Sequence, residues 1–215
     1  MRTALSIVCF IFLPAWGMCQ NDSTLARPSN IRIAFNGSLI YPGALVGIDV
    51  PMQEVLLVKQ WKDGGAAFIT KQRYLTANLG YYHHPRFHDN LYVLPEWVMK
   101  RTKITKWFTE FSAGLGYSRT FLGGTTYRVD EAGNVSIVPL AGYSYAVLAT
   151  GFELGYNTKA MGVPFSVYSK FSMLVFFPYN STIYPRPTLE IGIEYSPERF
   201  LVRKIKRLHK ERGIK

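Results

Sequence analysis

From Ser29 onward, apolar residues recur at every second position in short runs, and clusters of Gly, Pro, Asn and Asp separate the runs. That period puts alternate side chains on opposite faces of an extended chain, so it marks strands and not helices. Lys106 to Leu122 carries the pattern furthest. Trp107, Thr109, Phe111, Ala113, Leu115, Tyr117, Arg119 and Phe121 share one face, while Phe108, Glu110, Ser112, Gly114, Gly116, Ser118 and Thr120 share the other. In Thr188 to Ser196, Leu189, Ile191, Ile193 and Tyr195 oppose Glu190, Gly192 and Glu194. Phe165 to Phe177 sets Val167, Phe171, Met173 and Val175 against Ser166, Lys170 and Ser172. Leu140 to Tyr156 (with Glu153 on its polar side), Phe68 to Tyr82, and Leu91 to Met99 (with Glu96) read the same way. Ile31 to Leu39, carrying Arg32, and Val46 to Val50, carrying Asp49, complete eight predicted strands, with Lys59 to Gly65 joining the second and third.

The connections differ in character. Lys100 to Thr105 and Asn157 to Gly162 are short, whereas His83 to Asp89, Gly123 to Ser136 and Tyr179 to Pro187 are mostly longer and richer in Gly, Asn and Pro. Short turns on one side and longer loops on the other are the habit of outer-membrane barrels. Tyr41-Pro42-Gly43 reads either as a tight hairpin or as a bend in one strand.

Alternation does not say which face points inward. A soluble sandwich or lipocalin-like barrel would turn the apolar faces in. Three features favour the reverse. The polar faces are rich in glycine and carry isolated charges of both signs, namely Arg32, Asp49, Glu96, Glu110, Glu153, Lys170, Glu190 and Glu194. A narrow interior needs such small residues and mutually paired charges, whereas a soluble exterior carries dense Lys and Glu. Aromatic residues recur at strand ends on the apolar faces (Trp97, Trp107, Tyr117, Tyr156, Tyr195), as an interfacial girdle requires. Several apolar faces also run for ten or more residues, enough to cross hydrocarbon at a tilt.

Composition narrows the class. With 15% aromatic and only 18% charged residues the chain is not disordered, and 215 residues fit one domain. After the first twenty residues no uncharged apolar run approaches the about 18 residues of a membrane helix. Arg2, the apolar stretch Ala4 to Ala15, and the small residues Ala15, Gly17 and Cys19 predict a secretory signal peptide over 1–19, cleaved after Gly17 or Cys19. Both cysteines, Cys9 and Cys19, fall there, so a chain cleaved after Cys19 has no disulfide, cysteine nucleophile or cysteine-held metal. The expected organisation is a linker over 20–28, a barrel over 29–198 and a basic periplasmic tail over 199–215.

The signal peptide, the eight aromatic-flanked faces, the glycine-rich charged interior and the repeats Ala113-Gly114-Leu115-Gly116-Tyr117 and Gly151-Phe152-Glu153-Leu154-Gly155-Tyr156 together resemble small bacterial outer-membrane β-barrels. The nearest comparison is the eight-stranded type, like the transmembrane domain of outer-membrane protein A. The resemblance covers about Ser29 to Ser196 and implies an eight-stranded antiparallel transmembrane β-barrel in the bacterial outer membrane. The tail past Phe200 departs from that pattern.

His83, His84, His88 and Asp89 form the densest set of chemistry-bearing side chains. Three imidazoles and a carboxylate can hold a divalent metal or form a base and its orienting acid, but the spacing matches no zinc template. The plainer reading is a solvated rim loop that meets lipopolysaccharide phosphates. Some outer-membrane barrels hydrolyse or transfer the acyl chains of lipid A with His, Ser and an acid; here the serine would be Ser118 or Ser181. The face carboxylates read as interior ion pairs, Glu190 and Glu194 pairing with Lys170 or Arg32. Phe200 to Lys215 holds seven basic residues against one acid, six of the eleven net positive charges. Leu201, Ile205 and Leu208 suggest a short basic amphipathic helix lying on anionic phospholipid or the cell wall; the plainer reading is a frayed tail. Export argues against nucleic acid as the partner. No cofactor is indicated. The leading expectation is a non-enzymatic outer-membrane barrel with a filled interior; the alternatives are a lipid A-modifying enzyme using the His83–His88 loop, and a secreted soluble barrel binding an apolar ligand.

Overall fold

The computed structural model describes residues 22–38, 41–60, 66–85, 87–103, 106–158, 161–179 and 182–213. The segment 1–19, Leu39 and residues 61–65 of the second connection lie outside the described residues. Within them the chain is all-β, with twelve strands and no α-helix. These are β1 (Asp22–Arg27), β2 (Asn30–Gly37), β3 (Gly43–Gln60), β4 (Ala66–His84), β5 (His88–Lys103), β6 (Trp107–Leu122), β7 (Thr126–Val129), β8 (Val135–Val138), β9 (Ser144–Asn157), β10 (Phe165–Tyr179), β11 (Thr182–Tyr195) and β12 (Arg203–Gly213).

The eight predicted runs fall mainly in β2 to β6 and β9 to β11, except that Leu140 to Tyr143 precede β9 as turn and irregular chain. Antiparallel ladders join β2 to β3, β3 to β4, β4 to β5, β5 to β6, β6 to β9, β9 to β10, β10 to β11 and β11 to β2. The succession returns to the strand it began on. Ten strands make one sheet, and β7 with β8 form a separate hairpin.

Burial follows the pleat, with the polar face hidden. Arg32, Asp49, Asn78, Glu96, Glu110, Ser112, Glu153, Lys170 and Glu190 are buried, while Ile33, Phe35, Leu79, Val93, Phe111, Leu115, Phe152, Val167, Phe171 and Ile191 are exposed. Leu115, in the middle of β6, is 61% exposed, and its strand neighbours of opposite parity include fully enclosed Ser112 and Ser118. Two apolar patches of side chain fill the rest of the interior: Tyr82, Tyr92, Leu94, Tyr145, Val147, Leu174 and Phe176 toward one end, and Ala34, Leu45, Phe108 and Tyr168 deeper in.

Glycine makes room for the large rings. Gly80 stands opposite Tyr92, and Gly155 opposite Phe108. A methyl group on Gly80 would lie 2.0 Å from Tyr92 Cζ, and one on Gly155 would lie 2.1 Å from Phe108 Cζ. Both rings are buried, so neither can swing out to solvent.

Several expectations are corrected. Residues 22–27 form β1 and not a linker, and 203–213 form β12 and not a helix. β12 runs parallel to β3 from Lys206 opposite Gln53, and antiparallel to β1. The reason is an open edge. The β2–β3 ladder stops at Asn30 opposite Asp49, a register shift at Pro51–Gln53 bends β3, and β3 then continues to Gln60 with its backbone free on that side. Unpaired backbone groups outweigh an apolar repeat spread over eight residues, so the tail completes the ladder. Buried Glu54 clasps the arrangement, receiving Arg27 at 2.8 Å, Arg207 at 3.0 Å and the Gln72 amide at 2.8 Å. The loop Tyr179 to Pro187 is mostly strand, since β11 begins at Thr182, and Gly123 to Ser136 contains β7, the whole β7–β8 turn and the start of β8. Ser38 and Tyr41 bridge each other antiparallel, so β2 and β3 meet as the arms of a hairpin, with Tyr41-Pro42-Gly43 on the second arm.

Gly80→Ala and Gly155→Ala should each lower the unfolding free energy by about 1–3 kcal/mol, the usual cost of overpacking. Urea unfolding followed by circular dichroism measures this. Gly124→Ala, where an added methyl group would meet nothing within 4 Å, is the control and should leave the midpoint in place.

Candidate functional site

The eight charged residues predicted to line the interior are all buried, and most of them meet there. Arg32 of β2 spends its whole guanidinium on carboxylates: Nε reaches Asp49 Oδ2 at 2.6 Å, Nη1 reaches Glu153 Oε2 at 2.7 Å, and Nη2 reaches Glu110 Oε2 at 2.6 Å. Those acids sit on β3, β9 and β6, so one side chain ties four strands. Lys100 Nζ bridges Glu110 at 2.9 Å and Glu194 at 2.8 Å, and packs on the Phe108 ring at 3.8 Å. Lys170 Nζ meets both oxygens of Glu96, which also receives Asn78 and Ser112. Glu190 and Glu153 stand opposite Lys170 on its two neighbouring strands. Glu194 thus pairs with Lys100, where Lys170 or Arg32 was expected. Charges so enclosed are stable only in company, because each unpaired one forfeits its hydration.

The rim residues behave differently. His83 lies opposite Asp89 and His84 opposite His88 at the tips of β4 and β5. The pleat sends the two pairs to opposite faces. His83 Nδ1 and the Tyr81 hydroxyl both reach Asp89 Oδ1 at 2.7 Å on the exposed side, and His83, with Tyr81, holds the Asp89 carboxyl below its usual range. His84 and His88 turn the other way, their rings 5.2 Å apart and packed against Tyr41 and Tyr82. Burial, with His84 beside it, pushes the His88 imidazole below its ordinary value. The three imidazoles therefore do not converge on one point. Ser118 belongs to β6, fully buried and bonded to Asn90 in both directions, and Ser181 lies outside the described residues.

The feature that the alternation did not single out lies on the buried side of that same end. Arg186 of β11 is 1% exposed, and Nε, Nη1 and Nη2 all lack a hydrogen-bond partner. Its guanidinium carbon lies 3.5 Å from the centre of the Tyr82 ring and 5.0 Å from that of Tyr41. It borders a cavity of about 290 Å3 walled chiefly by aromatic rings, with Tyr179 and Tyr184 stacked at 4.8 Å and Tyr145 edge-on to Phe176. Two residues escaped the sequence for traceable reasons. Lys100 shares the parity of Glu96 but follows Met99, where the apolar run stops. Arg186 shares the parity of Thr188 and Glu190, but Pro185 and Pro187 disguise its strand as a loop. Proline is tolerated there because β2 reaches only as far as Leu189, leaving β11 an edge beyond it.

Comparison with protein-family models, curated proteins and solved structures gives no match. The functional reading therefore rests on geometry.

Arg32→Met would strand Asp49, Glu110 and Glu153 without their shared cation. Loss of about 3–5 kcal/mol of stability is expected in urea unfolding, with Arg32→Lys intermediate because one ammonium cannot reproduce a three-armed fork.

Proposed function

We propose that the chain is an integral outer-membrane protein, its strands β2 to β6 and β9 to β11 closing as an eight-stranded transmembrane barrel whose interior is filled by its own side chains. The observation that carries this is the inverted burial: charges and amides inside, a continuous apolar surface outside. In water such a surface would far exceed the few hundred Å2 that soluble monomers leave exposed. In lipid it is the expected face, and the closed succession of ladders pairs most of the lipid-facing backbone of the described strands, the β5–β6 ladder being interrupted only at Leu94–Pro95 opposite Leu115–Gly116.

Two aromatic belts support the reading. At one end Trp107 packs on Tyr156 at 5.2 Å and Phe165 on Tyr195 at 5.1 Å. At the other, the hydroxyls of Tyr81 and Tyr117 reach Asp89 and Ser144. Trp107 and Tyr117 stand ten residues apart on β6, and about 9–11 residues cross the hydrocarbon at a tilt. His83, His84, His88 and Asp89 lie beyond that band. Past the first belt comes an exposed basic collar of Lys71, Arg73, Arg101, Lys103, Arg203 and Lys204, placed to meet anionic phospholipid headgroups on the periplasmic side. The opposite rim, with its β7–β8 hairpin, is the surface offered to lipopolysaccharide and to external contacts. The crossed network of Arg32, Lys100 and Lys170 fills the interior with paired side chains, which favours a role in surface interaction or envelope structure over diffusion.

Membrane fractionation with gel mobility tests this. The folded protein should partition with outer membranes, need detergent for extraction and change mobility on boiling. A chain that stays folded in buffer without detergent would overturn the assignment.

A further inference from the structure

Arg32 and Arg186 are the same side chain at nearly the same burial, 4% and 1% exposed, with opposite surroundings. Arg32 has a carboxylate on each of three nitrogens; Arg186 has none on any. A buried cation is normally retained only with a counter-charge. The interior acids do not supply it. Along β5 the buried face passes through Tyr92 and Leu94 before reaching Glu96, and along β10 through Phe176 and Leu174 before Lys170. Directly opposite Arg186 on β10 is Leu174.

The free part of Arg186 is its edge. Tyr82 and Tyr41 sit over the guanidinium, a cation–π arrangement that uses the face and leaves the N–H fork unspent. A fork of that shape takes a carboxylate through two parallel bonds. The cavity beside it is walled by Tyr82, Tyr145, Tyr179, Tyr184 and Phe176, surfaces suited to a flat ring. His88 borders it too, shifted by burial toward its neutral form, so one positive charge dominates the cavity. At about 290 Å3 the space stands at the small end of ligand sites, which begin near ~300 Å3. One charge, a bidentate edge and aromatic walls select a monoanion on a flat apolar body over a compact dianion such as phosphate.

We propose that this cup, at the end of the barrel where β4 meets β5 and β10 meets β11, binds a small aromatic carboxylic acid, its carboxylate paired with the Arg186 fork and its ring held among the cup's tyrosines. The guanidinium nitrogens are covered in the ligand-free arrangement, so the acid reaches them by displacing Tyr41, which sits at the β2–β3 hairpin. The site goes beyond the membrane reading and does not depend on it, since the cup is interior whichever solvent bathes the outer face.

The test is calorimetric titration of the full folded protein with benzoate, its uncharged methyl ester and inorganic phosphate. Saturable one-to-one binding of benzoate is expected, at least about tenfold tighter than either comparator, as a charge-assisted bidentate contact implies. Arg186→Met should weaken benzoate by about tenfold or more. If that variant does not fold, Tyr184→Ala, which removes a half-buried wall of the cup, should weaken benzoate while leaving the fold intact. No saturable binding, equal binding of the ester, tighter binding of phosphate, or unchanged affinity in a folded variant would each overturn the proposal. None of these results bears on the fractionation outcome, so the two readings fail separately.

Discussion

A charged group shut away from water must be met by another, and the interior of this protein is organised by that requirement. Arg32 is where it is satisfied most completely, with Asp49, Glu110 and Glu153 arriving from three other strands. Hydrogen-bonded ladders alone would tolerate a slip, but a one-residue slip in β6 or β9 would carry Glu110 or Glu153 to the apolar outer face and leave Arg32 short of an acid. The network therefore sets register as well as stability. Lys100 extends it by sharing Glu110, so two cations and four acids form one connected group. Glycines opposite Tyr92 and Phe108 then let the larger side chains fit between these charges.

Much of this was legible in the residue order because the pleat is a strict period of two. Glu110, Glu153 and Lys170 sit at the polar parity of long apolar runs, and parity alone predicts that they share a side. Parity does not say which acid meets which base. Glu194 finds Lys100 because tilt and stagger between strands far apart in the chain bring them level. The His83–Asp89 segment shows the same logic in reverse. Four functional-looking residues lie together in the chain, yet adjacent positions on a strand face opposite ways, so His83 and His84 cannot act as one site.

The less legible parts are those where a neighbour's unsatisfied edge decides the outcome. Nothing local in Arg203 to Gly213 favours a strand, and its spacing of Ile205 and Leu208 suits a helix. What decides it is that β3 outlasts β2, so that Gln53 to Gln60 has backbone groups to satisfy. Similarly, Pro185 and Pro187 argue against a strand until it is known that no ladder from β2 extends to them. The orphan state of Arg186 belongs to the same class, being a property of what surrounds it and not of its own position in a pattern.

The long third strand also imposes an order of assembly. Its first half is paired by β2, a neighbour a few residues away, but its second half waits for β12, about 150 residues further along the chain. Contacts so distant in sequence form late, because the loop between them must close first. Until β12 arrives, Gln53 to Gln60 is an open edge, and such an edge is a template for pairing with any other extended chain. Pairing of the parallel strand is thus a late step of the fold, alongside the equally distant β11–β2 ladder, and the Glu54 clasp with Arg27 and Arg207 is the latch that completes only when β1 and β12 have both reached it.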